Sequence, residues 1–326
     1  MVTQKPTRES IDRFRGSLVG LATGDALGMS VEFKPPGTFR PISDMMGGGP
    51  FGLRPGQWTD DTSMALCLTD SLLARGGFDI LDQMRRYRRW WKEGYRSSKG
   101  FCFDVGATVR QALATFEATG NPFSGPTAPH TAGNGSLVRL VPVVLYFACE
   151  PDAAIRLAGE SSRTTHGAAV AVDACRYLAG LILGALAGEP RDHLLGPFYR
   201  PGGRWSDGEL SPEVAEVASG SFRRREPPAI KGSGYVVESL EAALWAFSKG
   251  VSFRDGCLLA VNLGDHSAAT GAVYGQLAGA YWGMTEIPEE WLERLWAVEE
   301  IVELADSLYV CRETRAGLKH PEVKKF

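Results

Sequence analysis

Glycine recurs every four residues in three stretches of the chain: Gly16, Gly20, Gly24 and Gly28; Gly180, Gly184 and Gly188; and Gly271, Gly275, Gly279 and Gly283. A spacing of four keeps side chains on one face of an α-helix, and each glycine inside a helix costs about 1 kcal/mol relative to alanine. Aligned glycines therefore need compensation, and close packing of one backbone on another supplies it. The spacing predicts that these three helices meet at the centre of the molecule.

Apolar spacing elsewhere is also helical. Val109, Ala112, Leu113 and Phe116 fall at i, i+3, i+4 and i+7, and Val236, Leu240, Ala243, Leu244 and Phe247 repeat the stripe. Alternating runs that would mark strands are almost absent. Segments near 9–28, 60–75, 79–96, 104–118, 136–148, 152–161, 167–188, 211–219, 235–249, 253–262, 270–283 and 288–308 read as helices, so the expected fold class is all-α. Three long loops punctuate them. Residues 35–57 hold five prolines and six glycines, residues 119–135 have the same character, and residues 188–234 read as a mobile insertion. No stretch resembles an interdomain linker, so the 326 residues are expected to form a single domain, 1–326.

Charge excludes some functions. Thirty-five Lys and Arg against 38 Asp and Glu leave a net charge of −3, too balanced for a dedicated nucleic-acid binder or a membrane-surface protein. The basic aromatic run Arg85–Arg96 superficially suits single-stranded nucleic acid, but Met84, Tyr87 and Trp91 share one helical face and leave the arginines solvated. Six dispersed cysteines with no C-x-x-C pair read as buried thiols of a cytoplasmic protein. The most apolar stretch, Tyr177–Gly188, has 12 uncharged residues, short of the roughly 20 that a membrane span needs. Neither nucleic acid nor membrane is expected as a partner.

Five places could carry chemistry. Thr59, Asp60 and Asp61 put three oxygen-bearing side chains in a row at a helix start, where they could converge on Mg²⁺ or Mn²⁺ or simply cap the helix. Asp25, on the glycine-lined face of the first helix, is a buried carboxylate in need of partners or a metal. Glu32, just past that helix, is placed for general acid or base work, though a solvated glutamate at a helix end is equally common. Gly133, Asn134, Gly135 and Ser136 run into an apolar helix whose free N–H groups could receive a phosphate or be capped locally. His166 stands at the entrance to another helix, facing a ligand or serving the helix start.

Together these segments resemble the ADP-ribosylglycohydrolase family, which includes the dinitrogenase reductase activating glycohydrolase and the ADP-ribosylarginine and ADP-ribosylserine hydrolases. The resemblance rests on GSLVGLATGDALGMSVEF at 16–33, GQWTDDTSMALCLTDSLL at 56–73, FDVGATVRQAL at 103–113, GNGSLVRLVPV at 133–143, THGAAVAVDACRYLAGLILGAL at 165–186, GYVVESLEAALWAF at 234–247 and NLGDHSAATGAVYGQLAGAYWG at 262–283. It implies an orthogonal all-α bundle with two Mg²⁺ or Mn²⁺ ions in a central cleft, cleaving the bond between ADP-ribose and a protein side chain. It further implies that Thr59, Asp60 and Asp61 are metal ligands, that Glu32 lies beside the reacting ribose, and that Gly133–Ser136, His166 and Tyr235 line the ADP-ribose cleft.

The last motif departs from the family pattern. Where the family usually reads Gly-Asp-Asp-x-Asp-Thr-Thr-Gly, three ligand positions hold His266, Ala268 and Ala269, and only Asp265 beside them is acidic. Two dications a few ångströms apart repel strongly, and two lost carboxylates remove charge that offsets the repulsion. One ion is therefore expected, on Thr59, Asp60 and Asp61 with Asp265 or His266; an imidazole ligand would shift preference from Mg²⁺ toward Mn²⁺, Zn²⁺ or Fe²⁺. The leading expectation is a hydrolase of an ADP-ribosyl or related N-ribosyl linkage. The alternative is a member that binds ADP-ribose or a similar nucleotide and has lost hydrolysis.

Overall fold

The computed structural model describes residues 8–317 and is all-α apart from one small hairpin. Among the described residues the helices are α1 (Arg8–Gly28), α2 (Asp60–Arg75), α3 (Ile80–Glu93), α4 (Ala107–Thr119), α5 (Val141–Tyr146), α6 (Pro151–Ser162), α7 (Ala169–Leu186) and α8 (Arg191–Leu194), then α9 (Pro212–Ala218), α10 (Ser221–Arg224), α11 (Val236–Lys249), α12 (Phe253–Val261), α13 (Ser267–Trp282), α14 (Glu289–Leu292) and α15 (Val298–Arg315). Strands β1 (Tyr199–Arg200) and β2 (Gly203–Arg204) pair antiparallel between α8 and α9.

At the centre α1 and α13 run antiparallel with their backbones in contact. A Cβ built on Gly20 would lie 2.4 Å from the Gly275 carbonyl oxygen, and one on Gly24 would lie 2.0 Å from that of Gly271. The relation is reciprocal, because a Cβ on Gly275 or Gly279 would lie 2.0 or 1.8 Å from the carbonyl oxygen of Gly20 or Gly16. Helices α2, α5, α7, α11, α12 and α15 surround this pair, and one continuous apolar core joins them.

The third glycine run behaves differently. Helix α7 does touch α13, but a Cβ on Gly184 would meet the Tyr199 hydroxyl at 2.1 Å, and one on Gly180 would meet Pro201 at 3.5 Å. Its glycines make room for the β1–β2 hairpin, so two helices rather than three share the central backbone contact. That hairpin belongs to 188–234, expected to be a mobile insertion; instead Leu194, Tyr199, Trp205, Val214 and Phe222 from it are buried in the core.

Other boundaries also moved. The segment near 288–308 is broken, because Ala297 takes a left-handed φ of 49° between α14 and α15. The segment near 136–148 is a series of turns followed by the six residues of α5. On α3 Met84, Tyr87 and Trp90 are buried, with Trp91 only partly so. Cys67, Cys175 and Cys257 are buried thiols, whereas Cys102, Cys149 and Cys311 are half-buried. Helix α7 is long and apolar enough by length and composition to cross a membrane, unlike the shorter stretch the sequence suggested; here it is a core helix packed against α6, α11 and α13.

The central contact can be tested by substitution. Gly275→Ala forces a methyl group into the Gly20 carbonyl, and neither backbone can yield, so chemical denaturation should show a loss of at least about 3 kcal/mol. Gly180→Ala meets only ordinary contacts and should be neutral or stabilising by up to about 1 kcal/mol. Equal losses at both positions would contradict the assignment.

Candidate active site

The site forms where the end of α1 meets the start of α13. A short 3₁₀ turn, Met29–Val31, follows Gly28 and delivers Glu32, whose carboxylate accepts the Ala268 N–H at 2.7 Å and the Ser267 hydroxyl at 3.1 Å. Helix α13 has no side-chain cap of its own, so Glu32 satisfies its first turn from outside. Two backbone bonds lock the junction: Phe33 N–H donates to the Asp265 carbonyl at 2.6 Å, and Asp265 N–H to the Lys34 carbonyl at 2.9 Å. Phe33 and Asp265 both take left-handed φ values, 60° and 51°.

One turn back on α1, the buried Asp25 carboxylate accepts the N–H groups of Thr59 and Thr62, each at 3.1 Å, and the Thr62 hydroxyl at 2.6 Å. Asp25 thereby holds the start of α2. The partners that a buried carboxylate requires are supplied by the helix that carries Asp60 and Asp61.

Between these helix ends lies a cavity of about 330 Å³. Its lining includes an acidic set, Glu32, Thr59, Asp60, Asp61 and Asp104, and a second set, Gly133, Asn134, Gly135 and His166, with His266, Ala268 and Ala269 also in the wall. Nine residues singled out in the sequence thus share one cavity. Asp25, Ser136, Tyr235 and Asp265 do not line it. Ser136 is buried behind the loop, its hydroxyl 2.8 Å from that of Ser162. Tyr235 is partly exposed and bridges to Gly133 through its backbone. Asp265 serves through its backbone, as the junction described above.

Asp104 escaped the sequence reading. It sits in Phe103-Asp104-Val105-Gly106, just before α4, with φ 53°. The available signal was a lone aspartate at a loop-to-helix transition, a residue type that tolerates left-handed backbone better than most.

Burial dominates the electrostatics of the acidic side. Removal from water pushes the Glu32 carboxyl up to about 8 against the lowering effect of the Ala268 N–H, and pushes Asp104 up to about 7. Burial raises Asp60 and Asp61 well above the ordinary carboxylate range, and the neighbouring carboxylates add to it. Among the described residues no lysine or arginine forms an ion pair with Asp60, Asp61 or Asp104. His266 approaches Glu32, Nδ1 to Oε1 3.6 Å, and packs edge-on to Phe33, but burial lowers its pKa against the pull of Asp265, so the ring adds no charge at neutral pH.

A divalent cation would fit this imbalance. Among the described residues no three His, Cys, Asp or Glu side chains are gathered tightly enough to hold an ion by themselves. A hard ion on Asp60, Asp61 and the Thr59 hydroxyl would therefore keep several waters, which is the habit of Mg²⁺.

The second set offers hydrogen-bond donors. The stretch 134–139 is a turn, not a helix start, so the expected helix dipole is absent there. Asn134 N–H donates to the Gly234 carbonyl at 3.1 Å, and its side-chain amide to Ser239 Oγ at 2.8 Å, which pins the loop to the start of α11. Among the described residues the N–H groups of Gly135 and Ser136 have no acceptor.

The raised carboxyl groups predict a pH dependence. Folded values near 8 for Glu32 and 7 for Asp104 lie above their ordinary values of 4.5 and 3.8, so the folded chain holds more protons than the unfolded chain between these limits. Stability of chelator-treated protein should fall as pH rises from about 5 to 8. Added Mg²⁺ or Mn²⁺ should raise the melting temperature, and more at pH 8 than at pH 5. A melting temperature indifferent to metal at pH 8 would argue against an ion among these carboxylates.

The chain is similar to known proteins over most of its length. The family model described as ADP-ribosylglycohydrolase matches residues 5–317. The chain is 38% identical over 304 residues to ADP-ribosylarginine hydrolase Tri1 of Serratia proteamaculans, covering 93% of this chain and 81% of the relative. It is 32% identical to the ADP-ribosyl-[dinitrogen reductase] glycohydrolase of Rhodospirillum rubrum, covering 87% of this chain and 90% of that protein. A solved structure described as an ADP-ribosylglycohydrolase-related protein complex superposes with a TM-score of 0.83 at 46% identity, covering 94% of this chain and all of that one. The chain belongs to the ADP-ribosylglycohydrolase family.

Proposed function

We propose that this chain hydrolyses the bond between ADP-ribose and a protein side chain, with arginine as the preferred attachment, at a centre holding one tightly bound divalent ion. The carrying observation is that one cavity joins a carboxylate-rich side to a loop with free N–H donors and a buried imidazole. A negatively charged pyrophosphate suits the donor side, and a ribosyl carbon that gains positive character as its bond breaks suits the acidic side. The arginine linkage is proposed from the similarity to a protein named ADP-ribosylarginine hydrolase.

In this reading Asp60, Asp61 and the Thr59 hydroxyl hold the ion. When bound, it supplies positive charge that lets neighbouring carboxylates ionise and that orients ribose hydroxyls and water. Glu32 moves the proton: as the bond from the ribosyl carbon to the guanidine nitrogen breaks and one to water oxygen forms, water's proton reaches the departing nitrogen through the Glu32 carboxyl. A carboxyl whose pKa lies near neutrality exchanges a proton in either direction.

The second reading, a binder that has lost hydrolysis, is favoured by Ala268 and Ala269, which line the cavity with methyl groups where the resemblance implies metal ligands. Turnover separates the two. With Mg²⁺ or Mn²⁺, an ADP-ribosylarginine peptide should release ADP-ribose faster than an ADP-ribosylserine peptide, and Glu32→Gln or Asp60→Asn should lower kcat by about 10²-fold or more. ADP-ribose binding by calorimetry without release from either peptide would favour the binder. Metal analysis should find one ion per chain, and two fully occupied ions would refute the single-ion centre.

A further inference from the structure

Behind the donor side of the cavity lies a buried cation without a carboxylate. Arg139 is 1% exposed, and among the described residues it forms no ion pair. A charge in that position is costly unless other groups meet it. Its guanidinium lies 4.6 Å over the Tyr87 ring, and its donors reach neutral oxygens: Nη1 to the Gly135 carbonyl at 3.0 Å, and Nη2 to Thr165 Oγ1 at 2.7 Å and Thr164 Oγ1 at 3.2 Å.

The Thr165 contact has a consequence for the next residue. Arg139 can only donate, so Thr165 Oγ1 accepts from it. Thr165 Oγ1 also lies 2.9 Å from His166 Nδ1, and among the described residues it has no other acceptor for its own proton. If Nδ1 carried a hydrogen, Thr165 Oγ1 would accept twice and its hydroxyl proton would be left without a partner in a buried place. The satisfied arrangement has the hydroxyl donating to Nδ1. Burial and the nearby Arg139 push the His166 pKa down to about 3, so the ring is neutral and carries a single N–H.

We propose that Arg139 and Thr165 are positioning residues that fix His166 as the Nε2–H tautomer, so that its ring presents a hydrogen-bond donor to an oxygen of the bound ligand. The surroundings of Nε2 agree. The imidazole is 2% exposed yet lines the cavity, and Nε2 has no hydrogen-bond partner among the described residues. It lies close over the ligand loop, where a Cβ on Gly133 or Gly135 would be 3.4 or 3.3 Å away. The backbone of His166 is held independently, its N–H to the Ser162 carbonyl at 2.7 Å and its carbonyl by the Ser162 hydroxyl at 2.9 Å, which fixes the point from which the ring projects. The same guanidinium that starts this relay grips the Gly135 carbonyl, next to the N–H groups left free at Gly135 and Ser136. Arg139 thus orders the His166 ring and the Gly135 peptide, both of which line the cavity, while lining none of it itself. A His166 fixed in this way is a binding group and not a base.

The inference rests on the cavity taking ADP-ribose, and its test separates the two claims. Nitrogen shifts of the imidazole in the free protein at pH 7, assigned with a His166→Gln variant, should show Nε2 protonated and Nδ1 bare. Thr165→Val removes the relay and should mix the tautomers and weaken ADP-ribose binding about 10-fold, while Thr165→Ser should restore both. Arg139→Met, if it folds, should produce the same spectral change as Thr165→Val. A protonated Nδ1 in the unaltered protein, or a tautomer and affinity unmoved by Thr165→Val, would overturn the relay. A protein that binds no ADP-ribose at millimolar concentration overturns the reading of the cavity instead, and the free-protein spectra still decide the relay.

Discussion

The contact between the backbones of α1 and α13 is the constraint on which the site depends. Because both helices present glycine to each other, they approach closer than side chains would allow, and the register is set residue by residue, Gly20 against Gly275 and Gly24 against Gly271. The antiparallel direction brings the end of α1 to the start of α13, and Gly28 lies against Ser267. Glu32 can reach the Ala268 N–H only because this register holds. Asp25, on the same helix, fixes the start of α2 and hence Asp60 and Asp61. Two carboxylates of one helix and its exit thus cap the two helices that bear the remaining groups of the acidic side.

This arrangement explains why the acidic side is under electrostatic load. Both helix N-termini favour negative charge, but only by a fraction of what burial costs a carboxylate. The balance leaves Glu32 and Asp104 protonated or half-protonated near neutrality. The donor side carries the opposite imbalance: a buried arginine without a carboxylate and N–H groups without acceptors. The two imbalances border one cavity without pairing directly. A ligand that offers anionic oxygens at one end and a carbon that develops positive charge at the other relieves both, which is why we assign the cavity to a molecule such as ADP-ribose.

Much of this was legible in the sequence, for identifiable reasons. Four-residue glycine spacing marks a helix face that something approaches closely, and it put α1 and α13 together at the centre. The boundaries of α2 follow from Thr59, whose side chain accepts the Asp61 N–H, and from Gly76, which ends the helix at a left-handed φ of 61°. The same glycine argument misplaced α7, because a small residue makes room for any neighbour, and there the neighbour is Tyr199. Asp104 was invisible because its role comes from tertiary placement, with no partner close in sequence. Arg139 was hidden by its setting, since an arginine within an apolar run reads as a solvated interruption until its burial is seen.

The altered start of α13 has a structural reading of its own. Glu32 and the first turn of this helix make a closed arrangement, in which the Ser267 hydroxyl and Ala268 N–H both donate to one carboxylate oxygen. An aspartate at 268 or 269 would place another negative charge beside a carboxyl already pushed up to about 8, and without a second cation it would raise that value further. Alanine at both positions avoids this load. His266, neutral at physiological pH, likewise contacts Glu32 without adding charge of either sign. These three residues therefore suit one another and the single-ion centre proposed above. Any return toward a two-ion site would have to change them together, because each acidic replacement alone sharpens the repulsion that only the second ion can relieve.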